Sequence, residues 1–458
     1  MSEHVRTGAA SEKILRRLAS LASWHDTRPR ADLPGLRGWI WAALIGVVFF
    51  WMSNPLVFVP GFHLALPLAV RWTLLVLLVT LPWLRLPRIP WPWFAFLGLC
   101  WLSAQWSIYP AVTYSATWVY AQITLTALAA AANCSARVVA WGLACGGTLV
   151  MVLSLYAFRE GMWGAAFIGV DGPVLTGVGT NQNILAYTVA ISLAATLALA
   201  LPKTLRARTA FFCLLAIQYY AIYRAGSGTG YMTALGVTVA AVALWATPYV
   251  RGLGRRRTFA RVSIVALTMA AGLTGILALL GDQVSTLSGR LPFWVAILEV
   301  CRDRPFLGAG WGAVWIHPWN NLAPPNAVLD DIVEAADGYA LSHGHNLLLD
   351  VLPELGAVGV ALVLVMVAYA VWTAVRCGTA RGPIGTAGRQ IVLVLVAMGI
   401  FGLTEPMLTA PVGWWSLTLV VAVARQRELP GSTSHPRATR RRSTDDASPQ
   451  RSPSYVES

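Results

Sequence analysis

The sequence predicts an all-α polytopic membrane protein with about twelve transmembrane helices. Three observations predict this fold class. Of the 458 residues, 57% are hydrophobic and only 12% are charged, whereas soluble domains carry roughly a quarter charged residues. Long apolar runs recur along the chain, and basic residues concentrate in alternate connectors. This composition excludes an ordinary soluble enzyme, a disordered scaffold and a nucleic-acid-binding domain, despite a formal net charge of +14.

The apolar runs define the predicted helices in order. A helix needs about 20 mostly apolar residues to cross a bilayer. Runs of this kind lie at 38–53, 64–83, 91–106, 111–131, 138–157, 184–201, 209–223, 229–248, 259–280, 354–375, 390–404 and 412–425. The chain therefore divides into a basic N-terminal segment (1–37), a membrane domain (38–425) and a basic tail (426–458). The Ser, Pro and Arg content of the tail predicts disorder.

The charges of the connectors predict the orientation. Arginine or lysine without any acidic residue occurs in the connectors 84–90, 132–137, 202–208, 249–258 and 376–389. The long connector 281–345 instead holds seven acidic and three basic residues. The positive-inside rule then places both termini in the cytoplasm and 281–345 on the outer face of the cytoplasmic membrane, before the third-last span. Loops longer than about 15 residues are usually functional or disordered. Helical patterns at 291–299 and 326–337 favour function.

Two histidines mark the end of this outer loop. The segment Ser342-His343-Gly344-His345-Asn346 comes directly before the apolar run that re-enters the membrane. Histidine suits general acid and base chemistry because its unperturbed pKa lies near neutrality. His345 and His343 are therefore candidate functional residues. The alternative is a solvated loop with two unrelated histidines.

Three arginines are not explained by the positive-inside rule. Arg224 and Arg290 lie on the predicted outer side, and Arg71 lies in or near the outer half of the second predicted span. Arginine at such places usually faces a partner or a water-filled cavity, and a guanidinium group matches phosphate oxygens. Two or three of them converging on one cavity would form a diphosphate clamp. Alternatively, each arginine snorkels to the interface or pairs with a carboxylate. The candidate carboxylates are Glu405, Asp303 and Glu354.

Several motifs follow one another between residues 289 and 359. They are Gly289-Arg290 with Trp294, the turn Asp303-Arg304-Pro305-Phe306-Leu307-Gly308-Ala309-Gly310, the pair His345-Asn346, and Glu354-Leu355-Gly356-Ala357-Val358-Gly359. In this order they resemble the O-antigen ligase and polymerase superfamily of bacterial integral-membrane glycosyltransferases. Weaker matches lie at 177–186 and at Arg224, where Tyr223 and Ala225 depart from the family pattern.

The resemblance implies a GT-C-like membrane fold and a metal-independent glycan transfer without a cofactor. The donor would be a glycan on undecaprenyl diphosphate, and the acceptor a glycan, lipid or protein. His345 and Arg290 would be catalytic, with His345 activating the acceptor hydroxyl and Arg290 holding the diphosphate. Substrate binding would involve Arg224, His343, Asn346, Arg71 and Glu354.

Three alternatives remain open from the sequence. Within the superfamily, a ligase transfers a finished chain and a polymerase extends lipid-linked repeats. A polytopic transporter or flippase is a candidate of another class, although the two similar halves typical of transporters are not evident. Finally, His343 and His345 could hold a divalent cation with Asp330 and Asp331. A His-x-His pair alone is a weak metal signal.

Overall fold

The chain is mostly helical. The computed structural model describes residues 30–53, 71, 85, 89–162, 165–169, 172–179, 181–202, 204–246, 290–315, 326–338, 342–379 and 385–426. The helices are α1 (Leu36–Met52), α2 (Trp91–Leu102), α3 (Pro110–Asn133), α4 (Ala136–Arg159), α5 (Gln182–Ala198), α6 (Leu205–Ala225), α7 (Gly228–Ala246), α8 (Arg290–Val300), α9 (Ala327–Ala335), α10 (Leu347–Thr379), α11 (Thr386–Phe401) and α12 (Pro411–Arg425). An antiparallel hairpin, β1 (Ala166–Gly169) and β2 (Gly172–Leu175), follows α4.

The predicted spans that fall on described residues coincide with helices. Two predicted spans, 64–83 apart from Arg71 and 259–280, lie outside the described residues, as do the N-terminal 29 residues and the tail from 427. Among the described helices, α4, α7 and α10 are long and apolar enough to cross a membrane, and α1, α5, α11 and α12 are shorter apolar helices. The all-α class and a membrane association are therefore supported.

Small residues bring α1 and α4 into close contact. A Cβ atom on Gly146 would lie 2.6 Å from the carbonyl oxygen of Gly46, and one on Gly142 would lie 2.4 Å from Ile45 Cγ2. Close approach of this kind is typical of helices in bilayers, where van der Waals packing drives association. The contact makes α1 and α4 one packed unit.

Buried aromatic side chains with satisfied N–H groups connect α2, α3 and α12. Trp93 donates from Nε1 to Thr418 at 2.7 Å, and Trp414 donates from Nε1 to Thr124 at 2.8 Å. Buried indoles usually find such partners because an unpaired N–H group is costly. Trp311, from the outer loop, packs edge-on to Tyr120 of α3 with ring centroids 5.2 Å apart. The helix core therefore anchors the loop.

Residues predicted on one side of the membrane contact one another. On the predicted inner side, the backbone N–H of Ala31 donates to Asn133 O at 2.8 Å, and that of Arg85 donates to Asn133 Oδ1 at 2.8 Å. On the predicted outer side, the backbone N–H of Ile108 donates to Ala309 O at 2.9 Å. These contacts are compatible with the predicted topology.

The outer loop has a small core of its own in its described part. α8 and α9 pack together, with Ile297, Leu329 and Ile332 buried. Asn326 begins α9 by accepting a bond from the Leu329 N–H at 3.1 Å and donating from Nδ2 to Val314 O at 2.6 Å. The amphipathic helix predicted at 326–337 is confirmed as α9, and the short helix predicted at 291–299 as α8.

The helix α10 is broken at Gly356, whereas the sequence predicted an uninterrupted span from 354. Gly356 adopts φ 61° and ψ −164°, a combination that is essentially restricted to glycine. The next two N–H groups leave the helical pattern. Ala357 donates to Pro305 O at 2.8 Å and Val358 donates to Phe306 O at 3.2 Å. Two hydrogen bonds within the helix are thus replaced by hydrogen bonds to the outer loop.

The carbonyl groups on the other side of the break also bond to the loop. Pro353 O accepts from the Ala309 N–H at 2.9 Å, and Glu354 O accepts from the Gly310 N–H at 2.8 Å. A Cβ atom on Gly308 would lie 2.5 Å from the Glu354 carbonyl carbon, so this contact requires glycine. The two glycine-containing motifs of the sequence therefore pack against each other, backbone to backbone.

Gly356→Ala should destabilise the protein. A Cβ atom there would lie 2.2 Å from the Phe306 carbonyl carbon, and the positive φ alone costs roughly 1–3 kcal/mol for other residues. We expect a lower unfolding temperature in detergent. Gly399→Ala in α11 is the matched control, because nothing lies within 4 Å of its Cβ position. Equal unfolding temperatures for both variants would contradict the role of Gly356.

Candidate functional site

One buried carboxylate contacts side chains from three other segments of the chain. Glu405, in the connection between α11 and α12, is 1% exposed. Its Oε1 accepts from the Arg290 guanidinium at 2.9 Å and from Asn183 Nδ2 at 2.8 Å. His345 Nδ1 lies 3.7 Å from the same oxygen. Two predicted catalytic residues, Arg290 and His345, are therefore neighbours through Glu405.

Two helix N-termini approach the cluster. Asn181 caps α5 by accepting from the Asn183 and Ile184 N–H groups at 2.8 and 3.1 Å. Ser227 donates to Asn183 Oδ1 at 2.8 Å and accepts from the Gly230 N–H in the first turn of α7 at 3.1 Å. Helix N-termini carry partial positive charge. Together with the charge of Arg290, these partial charges favour the binding of anionic groups at the cluster.

The two histidines lie on a tight turn before α10. His345 has φ 46°, and its backbone N–H lies 3.3 Å from His343 Nδ1, with ring centroids 4.0 Å apart. The Gly344 N–H donates to Asp350 Oδ1 at 2.8 Å. Thr409 donates to the other oxygen of Asp350, and Asp350 is 1% exposed. Asp350 thus ties the histidine turn to the segment that carries Glu405.

Asn346 holds the same two segments together. Its Oδ1 accepts from the Leu348 N–H at 2.9 Å at the start of α10, and its Nδ2 donates to Leu403 O at 3.2 Å. The backbone N–H of Leu347 also donates to Gly402 O at 2.8 Å. Asn346 therefore positions His345 beside Glu405 and is itself directed to backbone groups.

Neighbouring histidine and arginine side chains set the pKa of the Glu405 carboxyl. Burial alone would raise the pKa of this carboxyl, but the interactions with His345, His343 and Arg290 outweigh it and lower the pKa below its ordinary value of 4.5. A carboxyl that ionises more readily in the folded than in the unfolded state stabilises the folded state. That contribution is complete above the ordinary pKa and is lost as the pH falls through the folded-state pKa.

The stability difference between wild type and Glu405→Gln should follow this titration. We expect the difference in unfolding temperature to be present above about pH 5 and to shrink as the pH falls below 4.5. Thermal unfolding in detergent across this range measures it. A difference that instead grows as the pH falls would contradict the lowered pKa.

Several polar atoms at this place have no hydrogen-bond partner among the described residues. They are Arg290 Nε, His345 Nδ1 and Glu405 Oε2, and all are buried. Buried polar atoms are normally bonded, and unsatisfied ones often indicate a ligand or a catalytic role. The group can therefore bind further polar atoms.

The structure does not bring every candidate residue to Glu405. The guanidinium of Arg224, at the end of α6, lies 5.0 Å from the ring centroid of Phe158. Its own turn nevertheless reaches the cluster through Ser227. Arg71 is exposed. Glu354 is buried at the break of α10, where its backbone carbonyl bonds to the loop.

Sequence reasoning missed the central position of Glu405, naming it only as one of three carboxylates that could pair with an arginine. In the structure, Glu405 forms an ion pair with Arg290. A signal was present, because Glu405 is the only charged residue between Gln390 and Ala424. A lone acidic residue between two apolar segments indicates function. Asn183 carried a weaker signal, since it lies within the upstream match at 177–186, and Asp350 is an acidic residue inside the apolar run that re-enters the membrane.

The cluster includes a possible set of cation ligands. Ligand atoms of His343, His345 and Glu405 lie within 4.8 Å of one another. Asp330, one of the carboxylates considered from the sequence, is instead exposed on α9. The Arg290 guanidinium already neutralises the Glu405 carboxylate, so the local charge favours an anion over a cation.

The arrangement combines a buried arginine, a histidine and a carboxylate that contacts both. Such a group can stabilise a developing negative charge and accept a proton at adjacent positions. Comparison of the sequence with protein-family models and with curated proteins found no match. The function is therefore inferred from this geometry and from the order of motifs in the sequence.

Proposed function

We propose that the protein is a membrane glycosyltransferase of the O-antigen ligase type. It moves a glycan from undecaprenyl diphosphate to an acceptor on the outer face of the cytoplasmic membrane. The proposal rests on one observation. Glu405 Oε1 lies 2.9 Å from Arg290 Nη2 and 3.7 Å from His345 Nδ1. A group for the leaving diphosphate and a group for the acceptor hydroxyl are thus adjacent.

Arg290 is the proposed diphosphate ligand. When the bond between sugar C1 and the diphosphate oxygen breaks, negative charge grows on that oxygen. A pre-positioned guanidinium in a water-poor place stabilises this charge strongly. The N-termini of α5 and α7 add partial positive charge. Arg224 lies three residues before Ser227 and is proposed as a second ligand, which requires its guanidinium to leave the Phe158 ring.

His345 is the proposed base. Its Nδ1 faces Glu405, which leaves Nε2 to take the proton from the acceptor hydroxyl as that oxygen bonds to C1. The C1–oxygen bond to the diphosphate breaks in the same transfer, and undecaprenyl diphosphate departs. Glu405 stabilises the imidazolium that forms. His343 and Asn346 position His345. Arg71 and Glu354 are proposed to contact the substrate away from the reacting atoms.

The membrane setting belongs to the proposal. About twelve spans in a GT-C-like fold would hold the loop 281–345 outside, with both termini in the cytoplasm. The three helices long enough to cross a membrane support part of this arrangement. Outside the cytoplasm there are no nucleotide sugars, so the donor is a glycan already activated on a lipid. Membrane lipids surround the protein, and no nucleic acid takes part.

The proposed transfer needs no metal or other cofactor, because arginine supplies the charge that a cation would otherwise provide. We expect activity in detergent to survive a chelator. Loss of activity with a chelator, and its recovery with a divalent cation, would instead support a cation on His343, His345 and Glu405.

Undecaprenyl-linked glycans in cells test the proposal. Cells expressing only His345→Ala should accumulate the lipid-linked donor, measured by mass spectrometry. Accumulated finished chains indicate a ligase, whereas single repeats indicate a polymerase that extends lipid-linked repeats. A transporter or flippase defect would leave the glycan inaccessible to a glycosidase added outside spheroplasts. Absence of accumulation would contradict the transferase.

A further inference from the structure

A second polar group lies where the last turns of α10 and α12 meet the start of α2. Tyr369 of α10 packs edge-on to Trp91 and Trp93 of α2, with ring centroids 6.5 and 6.2 Å away. Arg425 of α12 donates from its guanidinium to the Tyr369 hydroxyl. The three helices therefore form one site lined by aromatic side chains. This site lies toward the opposite end of α10 from the histidine turn.

Two guanidinium groups are held by aromatic faces there. The Arg376 Cζ lies 4.2 Å from the Trp372 ring centroid, and the Arg425 Cζ lies 5.7 Å from the same ring and 5.1 Å from Tyr369. Trp372 is 40% exposed. Cation–π contacts orient the two guanidinium groups. Within the described part of the chain, Arg425 makes no ion pair.

The place of this group fits a membrane interface. It adjoins the basic connectors 84–90 and 376–389, which carry no acidic residue. Trp91, 59% exposed, is of the type enriched at headgroup level. Basic pockets between helices on the cytoplasmic side bind anionic lipid headgroups, and two guanidinium groups match the oxygens of a phosphate.

We propose that Arg376, Arg425 and Trp372 form a binding site for the headgroup of an anionic phospholipid. The two guanidinium groups contact the lipid phosphate, and the indole covers the glycerol region. The site is separate from the Glu405 cluster, and the proposal does not depend on the transferase activity.

Native mass spectrometry of the full chain in detergent tests the site with two probes, phosphatidylglycerol and phosphatidylcholine. The test variant is Arg376→Gln with Arg425→Gln. The control is Arg37→Gln with Arg206→Gln, which removes the same charge from two exposed arginines on the predicted cytoplasmic side. Arg376→Gln alone, at an exposed position, replaces the double variant if that does not fold.

We expect wild type to bind phosphatidylglycerol about tenfold more tightly than phosphatidylcholine, because both lipids carry a phosphate but the choline ammonium is repelled by the two guanidinium groups. The test variant should lose this preference, and the control should keep it. Equal binding of the two lipids would overturn the proposal. So would an unchanged preference in the test variant, an equal loss in the control, or inorganic phosphate that binds as tightly as the lipid.

Discussion

Glu405→Ala is expected to reduce glycan transfer by about 10²-fold, because misplacing a catalytic group by about 1 Å can cost that much. The carboxylate is the common partner of Arg290, Asn183 and His345. Without it, the guanidinium and the amide lose their acceptor, and the imidazole loses its negative neighbour. The measurement is the rate of glycan release from the lipid-linked donor by purified protein.

Two further variants separate charge from shape at this position. Glu405→Gln keeps an oxygen that can accept from Asn183 but removes the ion pair with Arg290, and we expect most of the loss to remain. Glu299→Gln is the control, since Glu299 is exposed on α8, the same helix as Arg290. Full activity of Glu405→Gln would contradict the electrostatic role and leave only a packing role.

His345→Ala should lower the rate of transfer by about 10²–10⁴-fold, the usual contribution of a general base. His343→Ala should have a smaller effect, because His343 contacts His345 and helps to position it. Single-turnover rates of the purified variants measure both effects. The amounts of folded protein in the membrane should stay similar, since both side chains are only partly buried.

The reverse order would contradict the assignment. If His343→Ala abolished transfer and His345→Ala did not, the base would be His343. His345→Gln provides a further check, because its amide can keep a polar contact with Glu405 but cannot take the proton. We therefore expect His345→Gln to be as inactive as His345→Ala.

Much of the fold could be predicted because apolar length and charge are local properties of the sequence. The described helices other than α8 and α9 coincide with the predicted apolar runs, and Asn326 marks the start of α9. The break at Gly356 could not be predicted. It depends on the Ala357 and Val358 N–H groups finding acceptors about 50 residues earlier in the chain, and no local pattern encodes that exchange.

The candidate site was partly predictable for the same reason. The outer loop and its ending singled out Arg290 and His345 by residue type and position. Their proximity depends on Glu405, which approaches from a different connection. The orientation of Arg224 toward Phe158 depends likewise on how α4 and α6 pack. Long-range side-chain contacts of this kind are set by tertiary packing, and the sequence alone does not specify them.

The most direct measurement uses the donor that accumulates in cells expressing only His345→Ala. This lipid-linked glycan is extracted and incubated in detergent with purified wild type, together with a membrane extract that supplies the acceptor. We expect wild type, in the presence of a chelator, to release undecaprenyl diphosphate and transfer the glycan, and His345→Ala and Arg290→Gln to do neither. Release at the same rate by all three proteins, or by none of them, would contradict the assignment of the Glu405 cluster as the active site.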